Sequence, residues 1–133
     1  MSKWVNEGET AVGNVFLKNA AQIDKYLGLY TNAVEPAETI TLATITELAV
    51  ANGYARIQLG NADWTESPQG VFTNLQKTFT AAGGDWGDVY GYFICDCASG
   101  VAGDILAVET FSDGPYPISD GSSIKVTPVI TIA

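Results

Sequence analysis

Two cysteines, Cys95 and Cys97, are the only thiols in the chain, and one residue separates them. In a strand both side chains point to the same face, ~6.6 Å apart along the strand, a spacing that favours no relaxed disulfide between them. A structural zinc site needs two further Cys or His ligands, and the sequence contains neither. We therefore expect two small thiols packed in or beside the core; the alternative is an intermolecular disulfide that holds an assembly together.

The absence of histidine also removes the commonest general base from the chain. A serine or cysteine nucleophile would need a lysine or carboxylate helper, and no local motif places one. The glycine-rich stretch 83–88 is acidic, and no GxxxxGK[ST] loop for phosphate occurs. Paired carboxylates for glycoside hydrolysis are a spatial arrangement that sequence spacing does not reveal. We expect a protein that is not an enzyme, with no catalytic residue and no cofactor.

The charge balance is acidic, with 15 acidic against 6 basic residues and a formal net charge of −9. Phosphate recognition uses clustered Lys and Arg, and Arg56 is the only arginine, so we expect no nucleic-acid partner. Solubility is the simplest role of the acidity, and docking on a basic protein surface is the functional alternative. Asp85 and Asp88 lie three positions apart, but a Ca²⁺ loop needs more oxygen ligands than these two supply. The composition therefore predicts no metal site.

Aromatic side chains in loops are the strongest candidates for binding. Trp64 and Trp86 lie in long polar loops, and Tyr116 lies between two prolines. Such side chains stack on sugars or anchor protein partners when exposed, and cap the ends of a β-sandwich core when buried. Trp4 and Val5 are too apolar for an idle tail, so we expect them to pack on the domain or on a neighbouring molecule. These five residues form the predicted protein interface.

The elements that must position these residues change in type at Lys25. Before Lys25, apolar residues recur at helical spacing and predict one helix near 9–19; after it, the period is two. We expect residues 1–24 to form an N-terminal arm and helix and residues 25–133 a β-sandwich, within a single compact domain. No apolar run approaches the ~20 residues of a membrane helix, and the N-terminus lacks the apolar stretch of a signal peptide. We therefore expect no membrane partner and synthesis in a cytoplasm.

Short segments rich in aromatic and β-branched residues follow, separated by Gly, Pro, Asn and Asp. This pattern predicts roughly six to eight short strands. Frequent turns favour antiparallel pairing, so the predicted fold class is mainly β: an antiparallel two-layer β-sandwich or a partly closed barrel, with one N-terminal helix. Segment 89–96 is the most hydrophobic and should be central, with 105–111 as its hairpin partner. Gly91 within it indicates a bulge or close packing against an aromatic ring.

Alternation also predicts which side chains face the core. Leu27 and Leu29 should share one face of their strand, with Tyr26 and Tyr30 on the other. Residues 71–80 are expected to form one strand, whereas residues 40–53 suit a strand, a short helix or an extended arm. The predicted inward-facing positions elsewhere are Ala55, Ile57, Leu59, Ile124, Val126, Ile130 and Ile132, and the predicted outward-facing ones are Tyr54, Arg56 and Gln58.

The segments LGLYTN, GYARIQL, TFTAAGG, VYGYF, AVETFSDGPYPI and IKVTPVITI occur in an order that resembles a group of small virion proteins encoded by tailed bacteriophages. The likeness runs from about Val5 to Ile132. Its most distinctive parts are Leu27–Asn32, Gly53–Leu59, Gly91–Phe93 and Phe111–Tyr116. The resemblance implies a structural protein of the virion, and the spacing of the two cysteines is not part of the shared pattern.

Within that class, a small acidic β-domain with an apolar N-terminal arm favours a capsid decoration, or cement, protein. Such a protein would clamp neighbouring capsid subunits by burying interface area repeatedly over the shell. The alternative is a tail- or fibre-associated adaptor or receptor-binding protein, which would use Trp64, Trp86 and Tyr116. Pro128 predicts that the last strand lies at a sheet edge, where backbone groups can meet a partner. We expect other virion proteins as partners, and a homo-oligomer.

Overall fold

The computed structural model describes residues 3–18 and 24–132. Its N-terminal part comprises β1 (Lys3–Trp4) and α1 (Asn6–Lys18). The single predicted helix is confirmed, although it begins three residues before the expected start, and Asn19 lies outside the described residues. Two glutamates in the first turn and Lys18 in the last complement the helix dipole. The Glu7 carboxylate also accepts a hydrogen bond from the Ile105 backbone N–H at 3.0 Å, which ties the start of the helix to the sheet.

Short antiparallel strands make up most of the remaining regular structure. They are β2 (Lys25–Tyr30), β3 (Ile57–Leu59), β4 (Thr65–Glu66), β5 (Val71–Thr73), β6 (Lys77–Thr80), β7 (Gly87–Val89), β8 (Gly91–Cys95), β9 (Ile105–Thr110), β10 (Tyr116–Ile118), β11 (Ser123–Val126) and β12 (Val129–Thr131). A 3-10 turn lies at Asn61–Asp63. The mainly β, antiparallel prediction is confirmed. The sheets form a sandwich-like arrangement, and no closed barrel is present among the described residues.

The main sheet has five strands in the order β1-β9-β8-β2-β3. Strand β8 is central and fully buried, and β9 is its antiparallel hairpin partner, as predicted. Gly91 is the first residue of β8 and is tightly packed. A Cβ at this position would overlap the Glu109 carbonyl oxygen and the Tyr30 hydroxyl group. Close packing of Gly91 against an aromatic ring is therefore confirmed.

The main sheet is buried on both faces. Leu27 and Leu29 enter one core cluster, and Tyr30 enters the other, with Tyr26 packed against it, so the predicted division of β2 is confirmed. The first cluster packs the main sheet against strands of the three smaller sheets, β10-β7, β11-β6 and β12-β5-β4. The second is covered by an irregular segment that contributes Ile40, Leu42 and Ile45. Of the three possibilities for residues 40–53, the extended arm comes closest to this segment.

Two predicted strands are broken at matching positions. Residues 71–80 form β5 and β6 rather than one strand, and the last segment divides into β11 and β12. The break lies where Pro128, which has no N–H, accepts a hydrogen bond from the Asn74 backbone N–H at 3.0 Å. Strand β12 lies at a sheet edge, as Pro128 predicted. Ile130 faces the core as expected, but Ile132 is 49% exposed, so its predicted inward orientation is wrong.

The inward and outward prediction for residues 54–56 is also wrong. Only residues 57–59 form a strand, and the preceding Asn52–Gly53 turn adopts positive φ, so strand alternation does not extend back to Tyr54. Tyr54 is buried, the Arg56 side chain is 2% exposed, and Ala55 is exposed. Both polar side chains point inward because the interior offers them hydrogen-bond partners.

Two glycines provide a matched test of this packing. Gly91→Ala should lower the free energy of unfolding by about 1–3 kcal/mol, because its methyl group has no space beside Glu109 and Tyr30. Gly13→Ala, in α1, adds a Cβ that meets no described atom within 4 Å beyond its chain neighbours and the nearby helix backbone, and it should raise the free energy of unfolding by about 0.5–1 kcal/mol. Urea denaturation of both variants measures the difference. Equal effects would show that the tight Gly91 contact relaxes at no cost.

Candidate functional site

Trp4 and Trp64, two of the predicted interface residues, lie together in the structure. They line an apolar surface pocket of about 150 Å³, named here the Trp4 pocket. Its other lining residues are Lys25, Phe72, Ile130 and Ile132. The sequence placed both tryptophans among candidate partner contacts but did not predict that one site holds both.

Three elements build the Trp4 pocket. Strand β1, which carries Trp4, pairs with β9 at the edge of the main sheet. Phe72 of β5 and Ile130 of β12 face each other across their ladder. Trp64 follows the 3-10 turn, and its indole N–H is buried with no hydrogen-bond partner among the described residues. Both tryptophans are half-buried, so each combines packing against the core with an exposed part.

Val5 and Trp86 belong to the core of the chain instead. Val5 has no exposed surface, and Trp86 is 9% exposed. The Trp86 indole N–H donates to the Asn52 carbonyl at 2.8 Å, and its ring meets the Tyr54 ring edge-on at 5.9 Å between centroids. The structure offers neither side chain to a partner on the surface of this chain. An interface that uses Trp4, Trp64 and Tyr116 stays a prediction.

Tyr116, the fifth candidate, lies at one end of a row of aromatic rings. Its ring lies 5.4 Å from that of Phe111, which in turn lies 6.2 Å from that of Tyr92. Tyr116 is 37% exposed, Phe111 is half-buried and Tyr92 is buried. The row borders two adjoining depressions of about 410 and 530 Å³, named here the aromatic groove.

The buried end of the aromatic groove is held by hydrogen bonds. The Tyr92 hydroxyl donates to the Glu109 carboxylate at 2.5 Å and accepts from the Val129 backbone N–H at 3.2 Å. Burial, and then the hydrogen bond to Glu109, raise the pKa of Tyr92 above its ordinary value. The phenol therefore stays protonated and orients the carboxylate.

Sequence reasoning missed a buried polar network around Arg56. The guanidinium forms a bidentate pair with the Glu47 carboxylate, with both N–O distances 2.8 Å. It also donates to the carbonyls of Cys97 and Gly100 at 2.8 and 2.7 Å, and lies 5.3 Å from the centre of the Phe93 ring. The one signal in the sequence is that the only arginine of an acidic chain lies within a strand-like segment.

The network extends through Tyr54 to the main sheet. The Tyr54 hydroxyl donates to Glu47 at 2.6 Å and accepts from the Leu29 backbone N–H at 3.0 Å. Burial opposes the Arg56 charge, but the hydrogen bonds and charge of Glu47 help to hold the pKa of Arg56 above its ordinary value. Burial, followed by the hydrogen bond to Glu47, raises the pKa of Tyr54.

Both cysteines line the same network. Within the chain they are free thiols, Cys95 buried and Cys97 half-buried, and the Arg56 guanidinium lies 3.3 and 3.1 Å from their sulfurs. Burial raises the pKa of Cys95 to about 12, which keeps this thiol protonated at neutral pH. The arrangement suits packing thiols, and an intermolecular disulfide through Cys97 stays the open alternative.

The acidic loop residues serve local structure. The Asp85 carboxylate accepts from the Asp120 backbone N–H at 2.7 Å, and the Asp120 carboxylate accepts from the Gly83 N–H at 2.9 Å. Across residues 3–18 and 24–132, no group of three or more acidic or cysteine side chains is placed to hold a metal ion. In the same residues, no helix has the length and apolarity needed to cross a bilayer.

The described residues combine an antiparallel β-rich fold with an apolar pocket and an aromatic groove on the surface, which suit contact with a partner. Residues 3–129 match the sequence model of the family described as Podophage GP4 fiber I protein gp80, and the chain belongs to this family. No curated protein matches the chain. The family makes the chain a structural, fibre-associated component of a tailed-phage virion, which confirms the resemblance to virion proteins. It favours the fibre-associated alternative over capsid decoration.

The Arg56–Glu47 pair allows a test by a double-mutant cycle. Arg56→Met should lower the free energy of unfolding by about 3–5 kcal/mol, because it leaves the largely buried Glu47 carboxylate without its charged partner. Adding Glu47→Leu should restore part of this loss, since no unpaired charge remains. Urea denaturation of both single variants and the double variant measures the coupling. A double variant as unstable as the sum of the singles would exclude it.

The raised pKa values predict a loss of stability at alkaline pH. Cys95, Tyr54 and Tyr92 keep their protons in the folded state above the pH at which the unfolded chain releases them, about 8.5 for Cys and 10 for Tyr. Below about pH 8.5, these groups should therefore leave the free energy of unfolding independent of pH. Above that pH, the free energy of unfolding should fall by up to ~1.4 kcal/mol per pH unit for each proton that the unfolded chain releases and the folded chain keeps. Urea denaturation from pH 7 to 10.5 measures the slope. Tyr92→Phe should make it shallower above pH 10, and an unchanged slope would contradict the assignment to Tyr92.

Proposed function

We propose that this chain is a non-enzymatic adaptor of the phage fibre apparatus, attached to another virion protein through the Trp4 pocket. The observation that carries the proposal is an apolar surface pocket bordered by two tryptophans in a member of a fibre protein family. Tryptophan is enriched among the residues that dominate binding energy at interfaces. The N-terminal segment contributes Trp4 to this contact.

The size and chemistry of the Trp4 pocket indicate its occupant. An open surface pocket of about 150 Å³ with mainly apolar lining offers contact area for one apolar side chain of a partner. One Leu or Phe side chain of the partner would fill the pocket, and burying it contributes about 1.5–3 kcal/mol. The partner is therefore a virion protein that presents a single apolar side chain, surrounded by contacts that exclude water.

The polar groups of the chain support a structural rather than a catalytic role. Side chains with raised pKa values, among them Tyr54, Tyr92 and Cys95, serve packing and hydrogen bonds inside the fold. The chain has no histidine to act as a general base. The net charge of −9 argues against a nucleic-acid partner. Homo-oligomerisation, capsid binding and synthesis in the host cytoplasm stay predictions.

A charge at the mouth of the Trp4 pocket tests the attachment. Ile132 is 49% exposed at its rim, so Ile132→Asp should leave the fold intact while placing a carboxylate where the partner's apolar side chain enters. We expect a reduction of about tenfold or more in copies per virion, measured by quantitative mass spectrometry of purified particles. Val50→Asp is the matched control, because Val50 is 70% exposed outside the pocket and the charge change is the same.

Two results would contradict the adaptor proposal. Equal incorporation of Ile132→Asp and Val50→Asp would show that the Trp4 pocket is not the attachment surface. The second result would come from sedimentation of the purified chain. If the wild type self-associates and Ile132→Asp alone abolishes this self-association, the occupant of the Trp4 pocket is another copy of the chain.

A further inference from the structure

The aromatic groove is separate from the Trp4 pocket and shares no lining residue with it. Its two depressions adjoin, because Phe111 and Lys125 line both of them. Volumes of about 410 and 530 Å³ each lie within the ~300–1,000 Å³ range of small-molecule sites. Two joined depressions of this size suit an extended ligand with repeated units.

Apolar recognition in the groove comes from aromatic rings on one side. Tyr116 and Phe111 present partly exposed rings 5.4 Å apart, and the exposed Pro117 continues the same wall. The face of an aromatic ring carries negative charge density and attracts weakly positive hydrogens. The C–H groups on one face of a pyranose ring are hydrogens of this kind.

Polar recognition comes from a donor and an acceptor that face the same depression. Glu109 and Lys125 both line the 410 Å³ depression, together with the hydroxyl residues Thr127 and Thr131. The Glu109 carboxylate is held in place by the Tyr92 hydroxyl. Lys125 is exposed and forms no ion pair with a described residue. A ligand that offers hydroxyl groups can donate to the carboxylate and accept from the ammonium.

From this combination, we propose that the aromatic groove binds a neutral oligosaccharide. Adjacent sugar units would stack on Phe111 and Tyr116, and their hydroxyl groups would bond Glu109 and Lys125. A neutral ligand fits better than an anionic one, because Glu109 faces the same depression as Lys125 and the chain carries a net charge of −9.

Calorimetry with defined hexasaccharides tests this proposal on the full chain. The neutral probes are maltohexaose, cellohexaose, xylohexaose and mannohexaose, and hexagalacturonate is the anionic probe of the same length. We expect at least one neutral probe to bind with a Kd below about 1 mM. Tyr116→Ala should weaken that binding about tenfold, and Lys125→Gln several-fold, through loss of a stacking face and of a hydrogen-bond donor.

Matched variants separate this groove from the rest of the molecule. Lys18→Gln removes an equivalent charge from the exposed end of α1 and should leave the affinity unchanged. Ile132→Asp should also leave it unchanged, so failure of the adaptor proposal and failure of this one are distinguishable. Thermal unfolding checks that each variant is folded.

Three outcomes would overturn the proposal. The first is that no neutral probe binds below about 1 mM. The second is that hexagalacturonate alone binds. The third is that a neutral probe binds but folded Tyr116→Ala and Lys125→Gln bind it as tightly as the wild type, which would place the sugar elsewhere.

Discussion

The buried guanidinium of Arg56 is the interaction on which the arrangement of the chain depends. It joins three parts of the chain: the irregular segment at Glu47, the loop at 97–100 and the Phe93 ring on the main sheet. Irregular backbone buries polar groups that need partners, and this side chain satisfies two carbonyls of the loop. Burying the guanidinium charge costs free energy, and the bidentate hydrogen bonds to the Glu47 carboxylate offset this cost.

Strands of the main sheet position residues of the aromatic groove. Glycine at position 28 leaves room for the Phe93 ring, which lies between that glycine and the guanidinium. Phe93 and Tyr92 are neighbours on β8 and point to opposite faces, so the same strand connects the Arg56 network to the aromatic groove. Strand β9 then carries Glu109 and leads into Phe111. Glu109, Tyr116 and Lys125 are thus placed by regular strands.

Local patterns predicted the strands well and the interruptions poorly. The alternation in β2, the central position of β8 and the edge position of β12 follow from residue type and period, because both faces of β2 are apolar and proline lacks an N–H. The buried orientation of Tyr54 and Arg56 does not follow from residue type and period, since it depends on Glu47 and on loop carbonyls that only the fold brings near. The break at Asn74 likewise has its cause in Pro128, far away in the sequence.

The candidate binding residues were likewise predictable from the sequence only in part. Aromatic type and loop position identified Trp64 and Tyr116, and the apolar N-terminal tail identified Trp4. These criteria do not separate a surface tryptophan from Trp86, whose indole N–H has a partner inside. The pocket shared by Trp4 and Trp64 and the row of rings from Tyr92 to Tyr116 both bring together segments that are distant in the sequence. No spacing rule in one sequence reveals them.

The Trp4 pocket joins the two ends of the described chain, since Trp4 and Ile132 line the same surface. The pocket therefore exists only when β1 and β12, which lie far apart in the sequence, are both packed in place. A partner that binds this surface would recognise the folded state and not a local segment of the chain. Its binding would in turn add to the stability of the fold, since only the folded state offers the surface.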